Sequence, residues 1–427
     1  MLDIRLIREN PDLVKDNIKK KFQDKKIPLV DELLKKDREW RILKTEIDEL
    51  RAKRNKLSLE INQLKKKKKD ISKLLKEAKD IPNKINELEK KNQMIQNSIL
   101  EIQKEIPNII HKSVPIGKDE SENKVIRTFG NIPKFKFEAK NHVELIEKLG
   151  IADFDASAKV SGNGFYYLKG DLALLNQALI RFAVDFMLKK KYRYIETPLM
   201  LNEKSIYASM SKEEIQNSVY SIKDEDLNLI GTSEQSILAM HTGDLIKEED
   251  LPKKYFSYSM CFRKEIGSHG INEKGLWRTH QFNKIEQFIF CKPEDSYRYY
   301  EELLQNSEEI YKKLKIPYQV LEMCSGDLAL WKAKSCDIEA WRPALEKYGE
   351  VGSLSNCTDY QARKLGIKVL RGNSEKEILH TLNNTAIATS RAMVVILENY
   401  QQKDGSIKIP AVLQKYMNEL KKIEKHL

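Results

Sequence analysis

Side chains that could bind a nucleotide are concentrated in two stretches of the chain, residues 262–270 and residues 276–286. Their pattern predicts a strand, a polar loop that contains glycine, and a returning strand. Because alternate residues of a strand share a face, Arg263 and Glu265 should lie on one face of the first strand. The same rule places on one face of the second strand Arg278, His280, Phe282, Lys284 and Glu286.

A sheet face with this composition is a poor hydrophobic core. It suits a ligand that carries a phosphate, a flat base and an ammonium group. Arginine offers phosphate a planar fork of donors, and the ring of Phe282 offers a stacking platform. A buried carboxylate forms a charge-assisted hydrogen bond with an α-ammonium group. Periodicity alone leaves open the alternative of an exposed sheet face with ordinary charge pairs.

Several further segments have the periodicity of helices or strands. Residues 172–189 predict a helix, and residues 194–198 predict a strand that ends at Pro198. Additional strands are predicted at residues 255–262, 276–291 and 407–409, and additional helices at residues 295–314 and 386–401. Strands separated by loops and helices, without regular βαβ alternation, predict an α+β domain with an antiparallel sheet.

The N-terminal quarter of the chain has a different pattern. Residues 1–25 predict a short helix with a break near Pro28, and two apolar series follow, separated by the polar run 65–70. The first series is Trp40, Leu43, Ile47, Leu50, Leu57, Ile61 and Leu64, with Arg54 in the seam; the second is Ile71, Leu74, Ala78, Ile81, Ile85, Leu88, Ile95, Ile99, Ile102 and Ile106, with Asn92 in the seam. One apolar stripe on each helix predicts an antiparallel two-helix coiled coil, and an oligomerisation coiled coil is the alternative. Pro82 should kink or interrupt the second helix.

Positive charge is concentrated in the same region. The 427 residues carry a formal net charge of +12, and residues 1–112 hold 30 Lys/Arg and 20 Asp/Glu, a net of +10. This predicts either an arm that binds a polyanion or an ordinary solvated helix surface. The five cysteines include no C-x-x-C pair, so neither a zinc ribbon nor a disulfide framework is indicated, and a reducing cytosol is expected. No long apolar run is present, so neither a leader peptide nor a membrane span is expected.

The first two stretches resemble motif 2 of the class II aminoacyl-tRNA synthetases, in the F-R-x-E … H-Q-F-x-K-x-E form of the seryl-tRNA synthetase family. Other segments resemble the family in its own order: residues 172–198 its motif 1, residues 232–234 its T-x-E, residues 336–341 its D-x-E-x-W, residues 350–363 its E-x-x-S-x-S-N-x-x-D-x-Q-A-R, and residues 380–391 its motif 3. Each motif is weak alone, but their common order and spacing cover nearly the whole chain.

The resemblance implies a role for each matching residue. Arg263 would hold the α-phosphate of ATP, Glu265 would bind the adenine amino group, and the adenine would lie between Phe282 and Arg391. The full ATP set is Arg263, Lys264, Glu265, Thr279, Phe282, Glu350, Val351, Gly352, Ser353 and Arg391, with Glu350 and Ser353 holding the Mg²⁺ that bridges the phosphates. The serine set is Thr232, Ser233, Glu234, Glu286, Asn383 and Thr385, with Glu286 as partner of the ammonium group. The catalytic set is Arg263, Glu265 and Arg391.

The resemblance also implies a domain organisation and partners. Residues 1–110 would form a tRNA-binding domain with a helical arm at about 28–106, residues 111–165 a connector, and residues 166–427 a class II catalytic domain. That domain would be an antiparallel sheet flanked by helices. The implied reaction uses L-serine, ATP and tRNA(Ser) in a cytoplasmic homodimer, with Mg²⁺ and without zinc. Whether tRNA(Sec) is also charged stays open.

Some positions depart from the commonest family pattern. Thr279 replaces a frequent valine, Gly352 replaces a serine, and residues 271–274 replace a loop richer in Arg and Asp. Thr385 and Ser390 resemble the archaeal and eukaryotic members. Two alternatives remain. One is an enzyme that loads an amino acid onto a carrier protein, which the long basic arm disfavours. The other is a nucleic-acid-binding coiled coil with a defunct catalytic domain, which the joint presence of five residues disfavours: Arg263, Glu265, Glu286, Glu350 and Arg391.

Overall fold

The computed structural model describes residues 1–266 and 274–425. The described residues divide into two compact units, one of residues 2–107 and the other of Met1 with the chain from residue 108 onward. Most of the loop predicted between the two nucleotide-binding stretches, including residues 271–273, lies outside the described residues. The predicted domain boundaries at residues 110 and 165 stay a prediction.

The first unit is helical. Its helices are α1 Ile4–Glu9, α2 Pro11–Lys20, α3 Ile27–Lys66 and α4 Ser72–Glu105. Ile47 and Leu57 of α3 pack with Ile81 and Ile85 of α4. Residues late in α3 pair with residues early in α4, as in Lys53–Glu77, and residues early in α3 pair with residues late in α4, as in Lys91–Glu39. The two helices are therefore antiparallel, and the predicted coiled-coil hairpin is confirmed.

Two details of the N-terminal prediction were wrong. Residues 1–25 form two short helices instead of one, and Pro28 lies in the first turn of α3, where a missing N–H costs nothing. Helix α4 also continues from Ser72 to Glu105 through Pro82, so the predicted interruption is absent, while the alternative of a kink there stays a prediction. Ile81 and Ile85, which lie on either side of Pro82 in the sequence, are buried against α3, and this tertiary packing outweighs the local preference.

The second unit is a mixed α+β structure, which confirms the predicted fold class. Its helices are α5 His142–Leu149, α6 Phe154–Ser161, α7 Gly170–Lys189, α8 Glu203–Ile206, α9 Lys212–Ser218, α10 Ser233–Met240, α11 Ser296–Leu314, α12 Tyr360–Leu365, α13 Thr389–Tyr400 and α14 Ala411–Gln414. Its strands are β1 Lys124–Phe129, β2 Ala152–Asp153, β3 Tyr167–Leu168, β4 Arg193–Tyr194, β5 Met200–Leu201, β6 Asn228–Leu229, β7 Leu245–Lys247, β8 Lys253–Phe262, β9 Gln281–Cys291, β10 Tyr318–Glu322, β11 Lys334–Arg342, β12 Lys347–Thr358, β13 Lys368–Leu370, β14 Lys376–Ile378, β15 His380–Ala388, β16 Ile407–Lys408 and β17 Lys422–Ile423.

A large sheet organises this unit. Eight strands lie in the order β1-β10-β11-β12-β15-β9-β8-β4, and every neighbouring pair is antiparallel except the parallel pair β4 and β8. Helix α11 contacts β12 and β15, and α13 contacts β9 and β11. Helix α7 buries an apolar stripe whose members are 3 or 4 residues apart, namely Leu172, Leu175, Leu179, Phe182 and Phe186.

Several predicted element boundaries were wrong. The strand predicted at residues 276–291 begins only at Gln281, and the one predicted at 194–198 is the short strand β4. Residues 386–388 complete β15 before α13 begins at Thr389. Strand β1 lies within the predicted connector and pairs with β10 at the edge of the large sheet. None of the helices in the described ranges combines the length and apolar character that a membrane span requires.

Candidate active site

Strands β9, β11, β12 and β15 and helices α9, α10 and α13 contribute side chains to a cavity of about 400 Å³. Nine residues predicted for ATP line it: Arg263, Glu265, Thr279, Phe282, Glu350, Val351, Gly352, Ser353 and Arg391. Four residues predicted for serine also line it: Thr232, Glu234, Asn383 and Thr385. Segments more than 150 residues apart in the sequence therefore meet at one cavity.

Three predicted residues are not among the described residues that line the cavity. Lys264 follows β8, and its amide N–H donates to the carbonyl oxygen of Ser218 at 2.9 Å. Ser233 is the first residue of α10 and is fully buried. Glu286, on β9, is also fully buried, but its carboxylate contacts three lining residues and so forms part of the cavity wall.

Glu286 is the centre of a buried polar cluster. Lys284 Nζ lies 2.7 Å from Glu286 Oε2, and both side chains are buried. Asn383 Nδ2 donates to Glu286 Oε1 at 3.2 Å, and Thr385 Oγ1 donates to Glu286 Oε2 at 3.3 Å. The antiparallel register of β9 and β15 places Thr385 directly opposite Glu286. The cluster thus presents a carboxylate, an amide and a hydroxyl beside the cavity.

Glu234 supplies a second carboxylate near this cluster. Gln361 Nε2 donates to Glu234 Oε1 at 2.8 Å, and Thr381 Oγ1 fixes Gln361 by donating to its Oε1 at 2.8 Å. Burial and the nearby negative charge of Glu286 raise the pKa of Glu234 to about 7. A cation bound beside Glu234 and Glu286 would offset the negative charge of both carboxylates, so this part of the cavity favours an ammonium group.

Arg391 and Glu350 form the principal ion pair on the other side of the cavity. Arg391 Nη1 lies 3.0 Å from Glu350 Oε2 and also donates to the Glu350 carbonyl oxygen at 2.8 Å. The Arg391 guanidinium lowers the pKa of the Glu350 carboxyl. Asp337 faces the same cavity from β11, and burial together with Glu350 raises its pKa to about 7. Ser353 pairs with Asp337 across β11 and β12.

Arg263 and Glu265 line the cavity, but not because they alternate on a strand as predicted. Strand β8 ends at Phe262, so strand alternation does not place them. The amide of Arg263 donates to the carbonyl of His280 at 2.9 Å, and Glu265 has a left-handed φ of 52°. Arg263 Nε donates to the Gly231 carbonyl oxygen at 3.2 Å, and its Cζ lies 5.3 Å from the centre of the Phe282 ring.

The segment that follows the undescribed loop also differs from the prediction. Trp277, Arg278 and Thr279 are consecutive and all line the cavity, because this segment precedes β9 and is not a strand. Arg278 Nη1 lies 2.7 Å from Glu265 Oε2. His280 does not share their face: it is not among the described lining residues, and its ring lies 5.2 Å from that of Phe165.

Strand alternation predicted Arg278 and Lys284 on the ligand-binding face, and both line the cavity. Other lining residues were not assigned to the site, among them Trp277, Lys332, Asp337 and Ser390. The D-x-E-x-W motif was a usable signal for Asp337. No local pattern singled out Lys332. The departure at Gly352 has a geometric reason, since a Cβ there would lie 3.2 Å from the Thr385 carbonyl oxygen.

The cavity therefore combines two chemical environments. One side holds Glu286 and Glu234 with short polar side chains and suits a small ammonium compound with a hydroxyl. The other side holds arginines, the carboxylates paired with them and aromatic rings, and suits phosphates attached to a flat base. Side chains that stabilise charge, with no evident protein nucleophile among the residues named, fit a reaction between two bound substrates.

Comparison with known proteins first defines the class. Residues 218–400 match the family model described as tRNA synthetase class II core domain (G, H, P, S and T). A prolyl-tRNA synthetase structure from Giardia lamblia, at 15% identity and a TM-score of 0.57 over 65% of this chain and 57% of that one, shares the fold. The second unit is therefore a class II aminoacyl-tRNA synthetase core.

Further matches define the family. Residues 1–110 match the Seryl-tRNA synthetase N-terminal domain. The serine–tRNA ligase of Methanocella arvoryzae is 47% identical over 98% of this chain and 99% of its own length. The structure of seryl-tRNA synthetase from Pyrococcus horikoshii complexed with ATP has a TM-score of 0.94 and 43% identity over 100% of both chains. The cytoplasmic enzyme of Naegleria fowleri in complex with AMP has a TM-score of 0.88 and 35% identity over 100% of this chain and 99% of that one.

The chain belongs to the seryl-tRNA synthetase family. The predicted family, enzyme class and reaction, that of a class II serine–tRNA ligase, are confirmed. The roles of individual site residues stay predictions.

Proposed function

We propose that the cavity binds L-serine and ATP side by side, forms seryl-adenylate with release of pyrophosphate, and then transfers serine to the 3′ end of tRNA(Ser). The observation that best supports this assignment is the buried Glu286 cluster next to the Arg391–Glu350 pair. The Glu286 cluster suits the ammonium group and hydroxyl of a small amino acid, and the Arg391–Glu350 pair suits a nucleotide. The serine carboxylate attacks the α-phosphorus, and no protein nucleophile is required.

Selection of serine follows from the polar groups of the Glu286 cluster. The serine ammonium group pairs with Glu286 and Glu234, and Thr232 adds a hydroxyl at the same wall. Asn383 and Thr385 approach the serine side chain. A site built to bind a hydroxyl disfavours the analogue that lacks it by up to roughly 10⁴–10⁵, because its buried polar groups would be unpaired. Alanine should accordingly be a very poor substrate.

ATP binding is assigned to the other side of the cavity. Arg263 binds the α-phosphate, Glu265 the adenine amino group, and Phe282 and Arg391 the two faces of the adenine, with Arg391 also near the phosphates. These groups stabilise the charge that develops on the phosphorus oxygens.

A magnesium ion fits the same region. Within residues 1–266 and 274–425, no group of three or more His, Cys, Asp or Glu side chains is arranged to hold a metal ion alone. Glu350 and Ser353 offer hard oxygen donors, which suit a Mg²⁺ that takes its remaining ligands from phosphate and water. When bound, the ion would neutralise phosphate charge.

The helical hairpin is the proposed tRNA-binding surface. The tip between α3 and α4 contains the run Lys65–Lys69, and residues 1–112 carry the net charge of +10. Phosphate contacts of this kind make affinity fall steeply with salt. We assign tRNA binding to residues 1–110 and catalysis to the chain from residue 166 onward.

Two broader properties belong to the same proposal. The motif 1 helix α7 exposes Leu174 and Leu188, which suits a homodimer contact. All five cysteines are free thiols, which suits the cytoplasm.

Pyrophosphate exchange with each of the twenty amino acids tests the assignment directly. We expect exchange with serine, at least about 10³-fold less with alanine, and aminoacylation of tRNA(Ser) but not of a carrier protein. Absence of serine-dependent exchange in the folded protein would refute the proposal.

A further inference from the structure

A buried ion cluster lies outside the cavity, behind Trp277. Its centre is Glu398 of α13, which is fully buried. Arg342, the last residue of β11, donates to both carboxylate oxygens, from Nη2 to Oε1 at 2.7 Å and from Nε to Oε2 at 3.2 Å. His142, the first residue of α5, lies against the same carboxylate, with Nδ1 at 3.3 Å from Oε1.

His142 links this cluster to the segment that enters the cavity. The amide of Leu276 donates to His142 Nε2 at 3.1 Å, so Nε2 is the acceptor and the ring proton is on Nδ1, facing Glu398. Gly275 accommodates the contact, because a Cβ at that position would lie 2.4 Å from His142 Nε2. The main chain immediately before Trp277 is thus fixed by a histidine 134 residues earlier.

Arg342 holds Trp277 from another direction. The Arg342 Cζ lies 4.2 Å from the centre of the indole ring, a close cation–π contact. The same ring lies against the main chain of β12, where a Cβ on Gly349 would come within 2.6 Å of Trp277 Cζ2. The indole therefore has little freedom to shift while Arg342 stays in place.

Trp277 in turn contacts Arg391. Arg391 Nε donates to the Trp277 carbonyl oxygen at 3.4 Å, and its Cζ lies 5.5 Å from the centre of the indole ring. Arg391 is the guanidinium that pairs with Glu350 inside the cavity. A continuous set of contacts thus joins Glu398 to a residue assigned to ATP.

We propose that Glu398, Arg342 and His142 are positioning residues for ATP: they fix Trp277, and Trp277 fixes the Arg391 guanidinium. The inference rests on the proposed role of Arg391 in ATP binding. A carboxylate enclosed by a guanidinium and an imidazole keeps both partners in one orientation, and removal of one member of such a buried group disturbs the others. The triad stays outside the cavity and touches no substrate.

The test uses the full-length variants Arg342→Lys and Glu398→Gln. Arg342→Lys keeps the charge opposite Glu398 but removes the planar group from the indole, and Glu398→Gln keeps the shape but removes the charge. We expect the Kd for ATP with Mg²⁺, measured by calorimetry without serine, to rise roughly tenfold, the effect of misplacing one charge-assisted hydrogen bond. In pyrophosphate exchange, KM for ATP should rise while KM for serine stays within about twofold.

A matched control separates positioning from stability. Glu308 is also buried, and its carboxylate accepts from Arg127 Nη1 at 2.9 Å and from the Tyr318 hydroxyl at 3.0 Å, but none of these residues is among those that line the cavity. Glu308→Gln should lower the melting temperature with an unchanged Kd for ATP. If Glu398→Gln does not fold, Arg342→Lys decides alone. Folded Arg342→Lys with the wild-type Kd and KM for ATP would overturn the inference. If the wild-type protein binds ATP but shows no serine-dependent exchange, the proposed function is refuted. The comparison of ATP Kd values between wild type and variants would still decide whether the triad positions Arg391.

Discussion

The two units use charged residues in opposite ways. In the helical hairpin, Lys53 and Glu77 lie 2.5 Å apart with side chains 53% and 44% exposed. In the catalytic unit, Lys284 and Glu286 lie 2.7 Å apart with side chains 7% and 0% exposed. The two distances are nearly equal, but one pair is exposed to solvent and the other is buried. The loss of one partner therefore has different consequences in the two pairs.

Solvent explains the difference. An exposed pair gains little, because water and salt screen it and two long side chains must be ordered. A buried pair contributes little net stability but is costly to break, since the remaining partner keeps its charge without compensation. Charges on the hairpin therefore stay accessible to solvent and can rearrange. Charges at the cavity hold fixed positions before any substrate arrives.

The largest effect should come from neutralising the buried carboxylate. Glu286→Gln keeps the size of the side chain but leaves Lys284 and a bound ammonium group without their anion. We expect kcat/KM for serine in pyrophosphate exchange to fall by the equivalent of about 2–5 kcal/mol, the usual range for a broken buried charge pair. Glu302→Gln is the control, because Glu302 also pairs with a lysine, Lys254 Nζ at 2.8 Å, but is not among the described cavity residues. Comparable losses in both variants would contradict the assigned role of Glu286.

Shortening the hairpin should separate the two units functionally. Removing residues 51–84 and joining the helices by a short Gly-Ser link leaves the base of the hairpin and removes the lysine-rich tip. We expect pyrophosphate exchange to stay within about twofold of wild type, while kcat/KM for tRNA in aminoacylation falls roughly 10²-fold through lost phosphate contacts. Equal loss of both activities in a folded variant would show that the division of labour is wrong.

The two units also differ in how far the sequence predicts them. The hairpin depends on contacts repeated every 3 or 4 residues, so its apolar stripes and its turn were visible in the sequence. The errors were the breaks predicted at Pro28 and Pro82. In the catalytic unit, the family resemblance found most cavity residues, but strand alternation failed for Arg263 and Glu265, which lie beyond the end of β8. Their positions depend on contacts across the sheet.

Long-range contacts explain what the sequence could not predict. The His142–Glu398 pair joins residues 256 positions apart, and no local pattern marks either of them. Lys332 likewise reaches the cavity from the loop before β11. Such residues are recognisable only when the register of β9, β11, β12 and β15 is known.

A smaller effect should follow from pH. Because the pKa of Glu234 is raised to about 7, its carboxyl is protonated below that pH and cannot pair with the serine ammonium group. Serine affinity should therefore weaken as pH falls from about 7.5 to 5.5, by up to about tenfold per pH unit below the pKa, because a bound cation favours the ionised form. The measurement is KM for serine in pyrophosphate exchange as a function of pH. The neighbours of Glu234, namely Lys284, Glu286 and Gln361, keep their wild-type identity. Glu234→Gln should lose the dependence; a dependence that persists in that variant would belong to another group.

The smallest effect should come from the exposed charges of the hairpin. Lys53→Ala, Glu77→Ala and the double variant form a cycle that isolates the interaction between the two side chains. Because both are about half exposed, we expect a coupling free energy below about 0.5 kcal/mol in urea unfolding, decreasing further in 0.5 M salt. The same cycle on Arg342 and Glu398, both buried, should give several times more. A hairpin coupling as large as the buried one would mean that exposure is not what distinguishes the two units. The charges on the hairpin would then contribute to its folding stability, and this would weaken their assignment to RNA binding.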